Sequence, residues 1–103
     1  MSNANLVQYI VEQASQAGEV RARKMFGDYC LYCDDKPVGL ICDDYLYLKP
    51  LKPLEPLLHD DDRHMQPPYD SAKPHYVITG VDDADYLSLL VRTVTDAIPD
   101  KRK

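Results

Sequence analysis

Two aspartate pairs, Asp34-Asp35 and Asp43-Asp44, interrupt a run of β-branched and aromatic residues, and this pattern constrains the fold more than any other feature. Residues 20–25, 29–33, 38–42 and 45–49 are short runs of this kind and predict four strands. Gly27, the Asp34-Asp35-Lys36 segment and Asp43-Asp44 separate them. Connections this short leave no room for a crossover, so the strands are antiparallel neighbours in a meander.

Outside this block the apolar spacing becomes helical. Leu6, Val7, Ile10, Val11 and Ala14 form one stripe of a helix predicted over 5–17. Asn3 or Ser2 caps its start, and Gly18 is placed to end it in a left-handed conformation. Residues 50–74 carry six of the eight prolines, which excludes a central strand. A short helical turn over 54–59 and a solvated loop are expected there. His75-Tyr76-Val77-Ile78-Thr79 then reads as a fifth strand ended by Gly80. Asp82 or Asp83 caps a last helix whose stripe is Leu87, Leu90, Val91, Val94 and Ile98, stopped by Pro99. The fold class is α+β: a two-layer sandwich of a five-stranded antiparallel sheet with N- and C-terminal helices, one domain over residues 1–103.

Treating both aspartate pairs as two-residue turns assigns the strand faces. Tyr29, Leu31, Cys33, Val38, Leu40, Cys42, Tyr45 and Tyr47 share one face; Cys30, Tyr32, Gly39, Ile41, Leu46 and Leu48 share the other. Both are apolar, and two short helices cover only one. The second face is expected to meet the proline-rich loop, a second copy of the chain in a homodimer, or a different protein.

The search for chemistry is mostly exclusion. Cys30 and Cys33 are an odd number of residues apart on a strand and point to opposite faces. Cys33 and Cys42 share a face in this reading but lie at opposite ends of the hairpin, so the sulfurs do not gather around a metal. The segment from His59 to His64, with Asp60, Asp61 and Asp62, reads as a solvated acidic loop. No serine sits in a nucleophile elbow, and no glycine pattern cradles a phosphate. The expectation is a non-enzymatic protein with no catalytic residue, metal or cofactor. No apolar run approaches the ~18 residues that span a bilayer, and the N-terminus shows no secretory signal, so the chain is read as cytoplasmic with no membrane partner.

One stretch stands out as a candidate partner-binding patch: Arg21, Arg23, Lys24, Met25, Phe26, Gly27 and Tyr29. Cations on a first strand run into a thioether, the only phenylalanine and a glycine, a mixture suited to an interface anchor. In the plainer reading, Met25 and Phe26 plug the end of the sheet while the cations stay solvated. The alternative function is direct nucleic-acid binding through Arg21, Arg23, Lys24 and the tail Lys101-Arg102-Lys103. A net charge of −5 disfavours it, because phosphate contacts need a cationic surface.

The run Arg23-Lys24-Met25-Phe26-Gly27, followed by Tyr29, Leu31-Tyr32, Asp34-Asp35-Lys36, Asp43-Asp44 and Leu46-Tyr47-Leu48-Lys49, resembles the N-terminal domain of the TfoX (Sxy) competence regulators. The resemblance covers nearly the whole chain and weakens over 50–74. It implies helices on one face of an antiparallel sheet, as in type III secretion chaperones, with the last strand beside the first. It also implies transcriptional regulation of competence genes in bacteria, in concert with a transcription factor, the cyclic-AMP receptor protein. The chain is expected to lack the family's second, C-terminal domain. Asp35 stands where the family often has glycine, and Gln66-Pro67-Pro68-Tyr69-Asp70 replaces a glycine-rich loop.

Overall fold

A computed structural model of the chain describes residues 3–25 and 28–99. Both aspartate pairs turn the backbone with positive φ: 52° and 66° at Asp34 and Asp35, 50° and 65° at Asp43 and Asp44. Two successive left-handed residues twist a hairpin in the sense its strands require. Aspartate tolerates this state because its short side chain bonds locally, so Asp35 fills the turn without glycine. Cys33 therefore pairs with Lys36, and Cys42 with Tyr45.

The strands are β1 (Val20–Met25), β2 (Asp28–Cys33), β3 (Lys36–Cys42), β4 (Tyr45–Leu48), β5 (Met65–Gln66) and β6 (His75–Ile78). They form one antiparallel sheet in the order β1-β2-β3-β4-β6-β5. The sheet has one strand more than expected. β5 is a two-residue strand at the edge, the place where a neighbouring proline such as Pro67 costs no ladder bond. The last long strand, β6, pairs with β4 and not with β1, which corrects the order implied by the family resemblance. The proline-rich segment buries Leu54 and Leu58 in the core, and its 3-10 turn over Lys52–Leu57 packs on the C-terminal helix. The chain is thereby held beside β4 and returns there.

Two helices, α1 (Ala4–Gln13) and α2 (Ala84–Ala97), cover one face. The Asn3 side chain accepts from the backbone N–H of Asn5 at 2.7 Å, and Asp83 accepts from that of Tyr86 at 3.1 Å. α1 ends earlier than expected and passes into a 3-10 turn over Ser15–Ala17. Gly18 then adopts φ 148°, ψ −151°, an extended conformation of opposite hand rather than the left-handed helical state. At the far end of α2, the Lys36 ammonium donates to the carbonyls of Thr95 (3.3 Å) and Ile98 (2.8 Å), satisfying groups a helix end leaves unpaired.

The face assignment needs one correction. Leu31 pairs with Gly39 but Tyr32 pairs with Pro37, so Val38 is an extra residue on β3. Pro37 has no N–H to give the ladder, and a bulge beside it is where a proline fits inside a sheet. The bulge shifts the side-chain phase of everything after it. Tyr29, Leu31, Cys33 and Val38 stay on the helix side, joined by Ile41, Leu46 and Leu48. Leu40, Cys42 and Tyr47 move to the outer face with Val77.

Candidate functional site

The strand pairing divides the predicted patch between two faces. Arg23 is opposite Cys30 and Arg21 opposite Tyr32, on the outer side, and Met25 follows in the same phase. Lys24 and Tyr29 pair on the helix side, where Tyr29 packs against the core. Phe26 and Gly27 lie outside the described residues, as does the basic tail Lys101-Arg102-Lys103. Arg21 is committed to an ion pair with Asp35 and lies 5.9 Å from the centre of the Tyr32 ring. Arg23 forms no ion pair among the described residues and remains exposed.

At the end of the outer face, where Met25 follows Arg23 along β1, is an open groove of about 450 Å³ lined by Met25, Asp28, Tyr29, Leu40, Cys42 and Tyr69. Its rim is apolar and accessible: Met25 is 41% exposed and Tyr69 is 59% exposed. The proline-rich segment reaches this face. Tyr69 shares the groove with β3 side chains, Pro68 is buried, and the Gln66 amide donates to the Tyr47 hydroxyl at 3.0 Å. Of the three coverings expected for the second face, the chain's own loop supplies part. The groove is one part that it leaves open.

The segment read as a solvated acidic loop contains a buried carboxylate. Asp60–Asp62 form a 3-10 turn, and at three residues per turn one aspartate of three must face inward. Asp62 does, at 1% exposure. One of its oxygens accepts from the Thr79 N–H and the Thr79 hydroxyl, each at 2.7 Å, and the other from the Tyr86 hydroxyl at 2.8 Å. The Tyr86 oxygen in turn accepts from the His59 N–H at 3.1 Å, and the His59 ring stacks on Tyr86 with centroids 3.8 Å apart. The available signal was Tyr86, a polar tip on an otherwise apolar helix stripe that needs a partner once buried.

A family model for the TfoX N-terminal domain matches residues 12–98. The chain belongs to that family. A relative described as an uncharacterized 12.7 kDa protein in the trpE 5′ region of Spirochaeta aurantia is 32% identical over 99 residues, covering 95% of this chain and 84% of the relative. This TfoX N-terminal domain has, among its described residues, no helix long and apolar enough to cross a membrane.

The cysteines of this TfoX N-terminal domain are free, buried and held protonated. Cys33 lies in the core under the helices, whereas Cys42 lies on the outer face, so the two do not share a face as the sequence suggested. Cys30, opposite Leu40, is also on the outer side. Burial pushes all three thiols up. Cys42 reaches about 11, with Asp28 and Asp43 adding to the effect of burial. Tyr86 is pushed up to about 12, first by burial and then by its bond to Asp62. Groups that hold their protons more tightly when folded contribute stability below their unfolded values, 9.0 for the thiol and 10.0 for the phenol. That contribution is lost as pH rises through about 11 for Cys42 and about 12 for Tyr86. Thermal midpoints measured from pH 7 upward should therefore fall above pH 9, and less steeply in Cys42→Ala. At pH 8 an aromatic disulfide reagent should label the three thiols slowly in the native protein and at once in denaturant.

Proposed function

We propose that this TfoX N-terminal domain is a non-enzymatic regulatory module that works in the cytoplasm by holding a protein partner against β1 and the adjoining groove. The observation that carries this reading is the groove: exposed Met25 and Tyr69 flank an apolar floor, and Arg23, exposed and without an ion pair among the described residues, precedes Met25 on the same side of β1. A large apolar anchor beside an arginine is the chemistry of an interface hot spot. The buried ionisable groups are spent on structure. Asp62 is engaged by Thr79 and Tyr86, and the thiols are pushed toward their neutral, unreactive form. The regulatory character of the family makes a transcription factor the partner class. Direct nucleic-acid binding gains nothing from the fold, since Lys24 lies on the opposite side from Arg21 and Arg23 and the chain carries a net charge of −5.

The test is capture of partners from the native cell, then titration of each captured protein, purified, against the wild-type domain and Arg23→Ala/Met25→Ala/Tyr69→Ala. One protein should bind the wild type saturably, and the triple variant should bind it at least tenfold more weakly with an unchanged melting temperature. Equal binding by the variant, or binding only of duplex DNA with a steep inverse dependence on salt, would overturn the proposal.

A further inference from the structure

The open edge of β1 has a pattern of its own, and the inference drawn from it rests on the docking reading above. Asp34 N–H donates to the Glu19 carbonyl at 2.9 Å, and the β1–β2 register is unbroken from Val20 to Met25. In an antiparallel ladder the bonding direction alternates with each residue. Glu19, Arg21, Arg23 and Met25 therefore bond toward β2, and Val20, Ala22 and Lys24 direct their N–H and C=O groups away from it. No strand pairs there among the described residues. The other edge is protected by its shortness, since β5 has two residues. β1 has six, with neither a proline nor a bulge to blunt it.

The two sides of this edge differ in chemistry. On the helix side, a shallow depression of about 360 Å³ runs between α1 and β1, lined by Val7, Val11, Val20 and Ala22 among others. On the outer side stand Arg23 and Arg21, the latter in a solvent-exposed ion pair with Asp35 of the kind that contributes little and that a docked carboxylate can exchange, in a chain whose net charge is −5. A strand laid along the edge alternates its side chains between these two environments. Its inward positions need apolar groups to fill the depression, and its outward positions need carboxylates to meet the guanidinium groups. A second copy of β1 does not fit. Two-fold antiparallel pairing would put Arg21 and Arg23 of both copies on one face, and like charges across a ladder repel.

We infer that the edge of β1 binds an extended, amphipathic, acidic segment of the partner protein as a seventh strand, with apolar side chains toward α1 and carboxylates toward Arg21 and Arg23. Main-chain bonds to Val20, Ala22 and Lys24 supply the register, and the two faces supply the selectivity.

The probe is a nine-residue peptide alternating valine and glutamate, with a valine–lysine counterpart and a scrambled peptide of the acidic composition. Binding is read by fluorescence anisotropy, and its site by amide hydrogen exchange. The acidic peptide should bind wild type and slow exchange at Val20, Ala22 and Lys24 at least tenfold, while the lysine peptide and the scramble bind at least tenfold more weakly. Arg21→Glu/Arg23→Glu should invert the charge preference. Ala22→Pro removes an outward donor without touching the bonds to β2, and should abolish peptide binding with β2 amides still protected. If that variant does not fold, the exchange pattern of wild type decides. Equal binding of both charges, no added protection at the three amides, or protection there already present in a concentration-dependent dimer each overturns the inference. A cellular partner that binds Ala22→Pro as well as wild type removes strand addition but leaves the docking module standing. A peptide that binds as described while no cellular partner is found does the reverse.

Discussion

Asp62→Ala should lower the unfolding free energy by about 3 kcal/mol, a large share of the ~5–15 kcal/mol that holds a domain of this size together. Removing the carboxylate leaves the Thr79 N–H and hydroxyl and the Tyr86 hydroxyl without the acceptor they share. Each bond to a charged acceptor is worth ~1.5–3 kcal/mol, and the sum is less than additive because the donors belong to one network. The damage should be local first. Asp62 joins the proline-rich segment to the residue that follows β6 and to the first turn of α2, so hydrogen exchange at 59–64 should accelerate more than in the β1–β2 hairpin. Urea melts check the magnitude through a shifted midpoint at unchanged slope. Tyr86→Phe keeps the ring stack on His59 and loses only the hydroxyl, so it should cost about 1–2 kcal/mol. An Asp62→Ala melt indistinguishable from wild type would show that water replaces the network at no cost.

Gly39→Ala should destabilise by about 2–3 kcal/mol and should loosen β3 from β4 specifically. A methyl at Gly39 would sit inside contact distance of the Tyr47 carbonyl and 3.0 Å from a Leu48 methyl. The first of these is backbone and cannot swing away. Gly39 pairs with Leu48 and follows directly on the bulge at Val38, where the ladder has already been bent. Relief therefore requires the two strands to part. Thermal unfolding measures the loss, and amide exchange along β4 shows whether the strands separate there. A variant as stable as wild type with β4 amides fully protected would mean that the bulge absorbs the methyl.

Much of the fold is legible from local residue patterns. The aspartate turns, the four strands of the meander and the caps at Asn3 and Asp83 each follow from interactions spanning a few residues. The candidate site was legible only in part. Arg21, Arg23 and Met25 were marked by their composition, but the separation of their side from that of Lys24 follows from the pairing of β1 with β2. Tyr69 entered the groove without any signal in its own neighbourhood.

Short-range chemistry in the sequence thus determined which segments are strands and helices, where the chain turns, and which residue types could anchor a partner. Tertiary structure alone decided that β6 joins β4 and leaves β1 with an open edge, that one extra residue at Val38 moves Leu40, Cys42 and Tyr47 to the outer face, and that Asp62 is buried while Asp60 and Asp61 are not. The reason is the range of the forces involved. A turn or cap is settled by neighbours in the chain, whereas strand order, side-chain phase beyond a bulge and the burial of a charge depend on groups distant in sequence that meet only when the core closes.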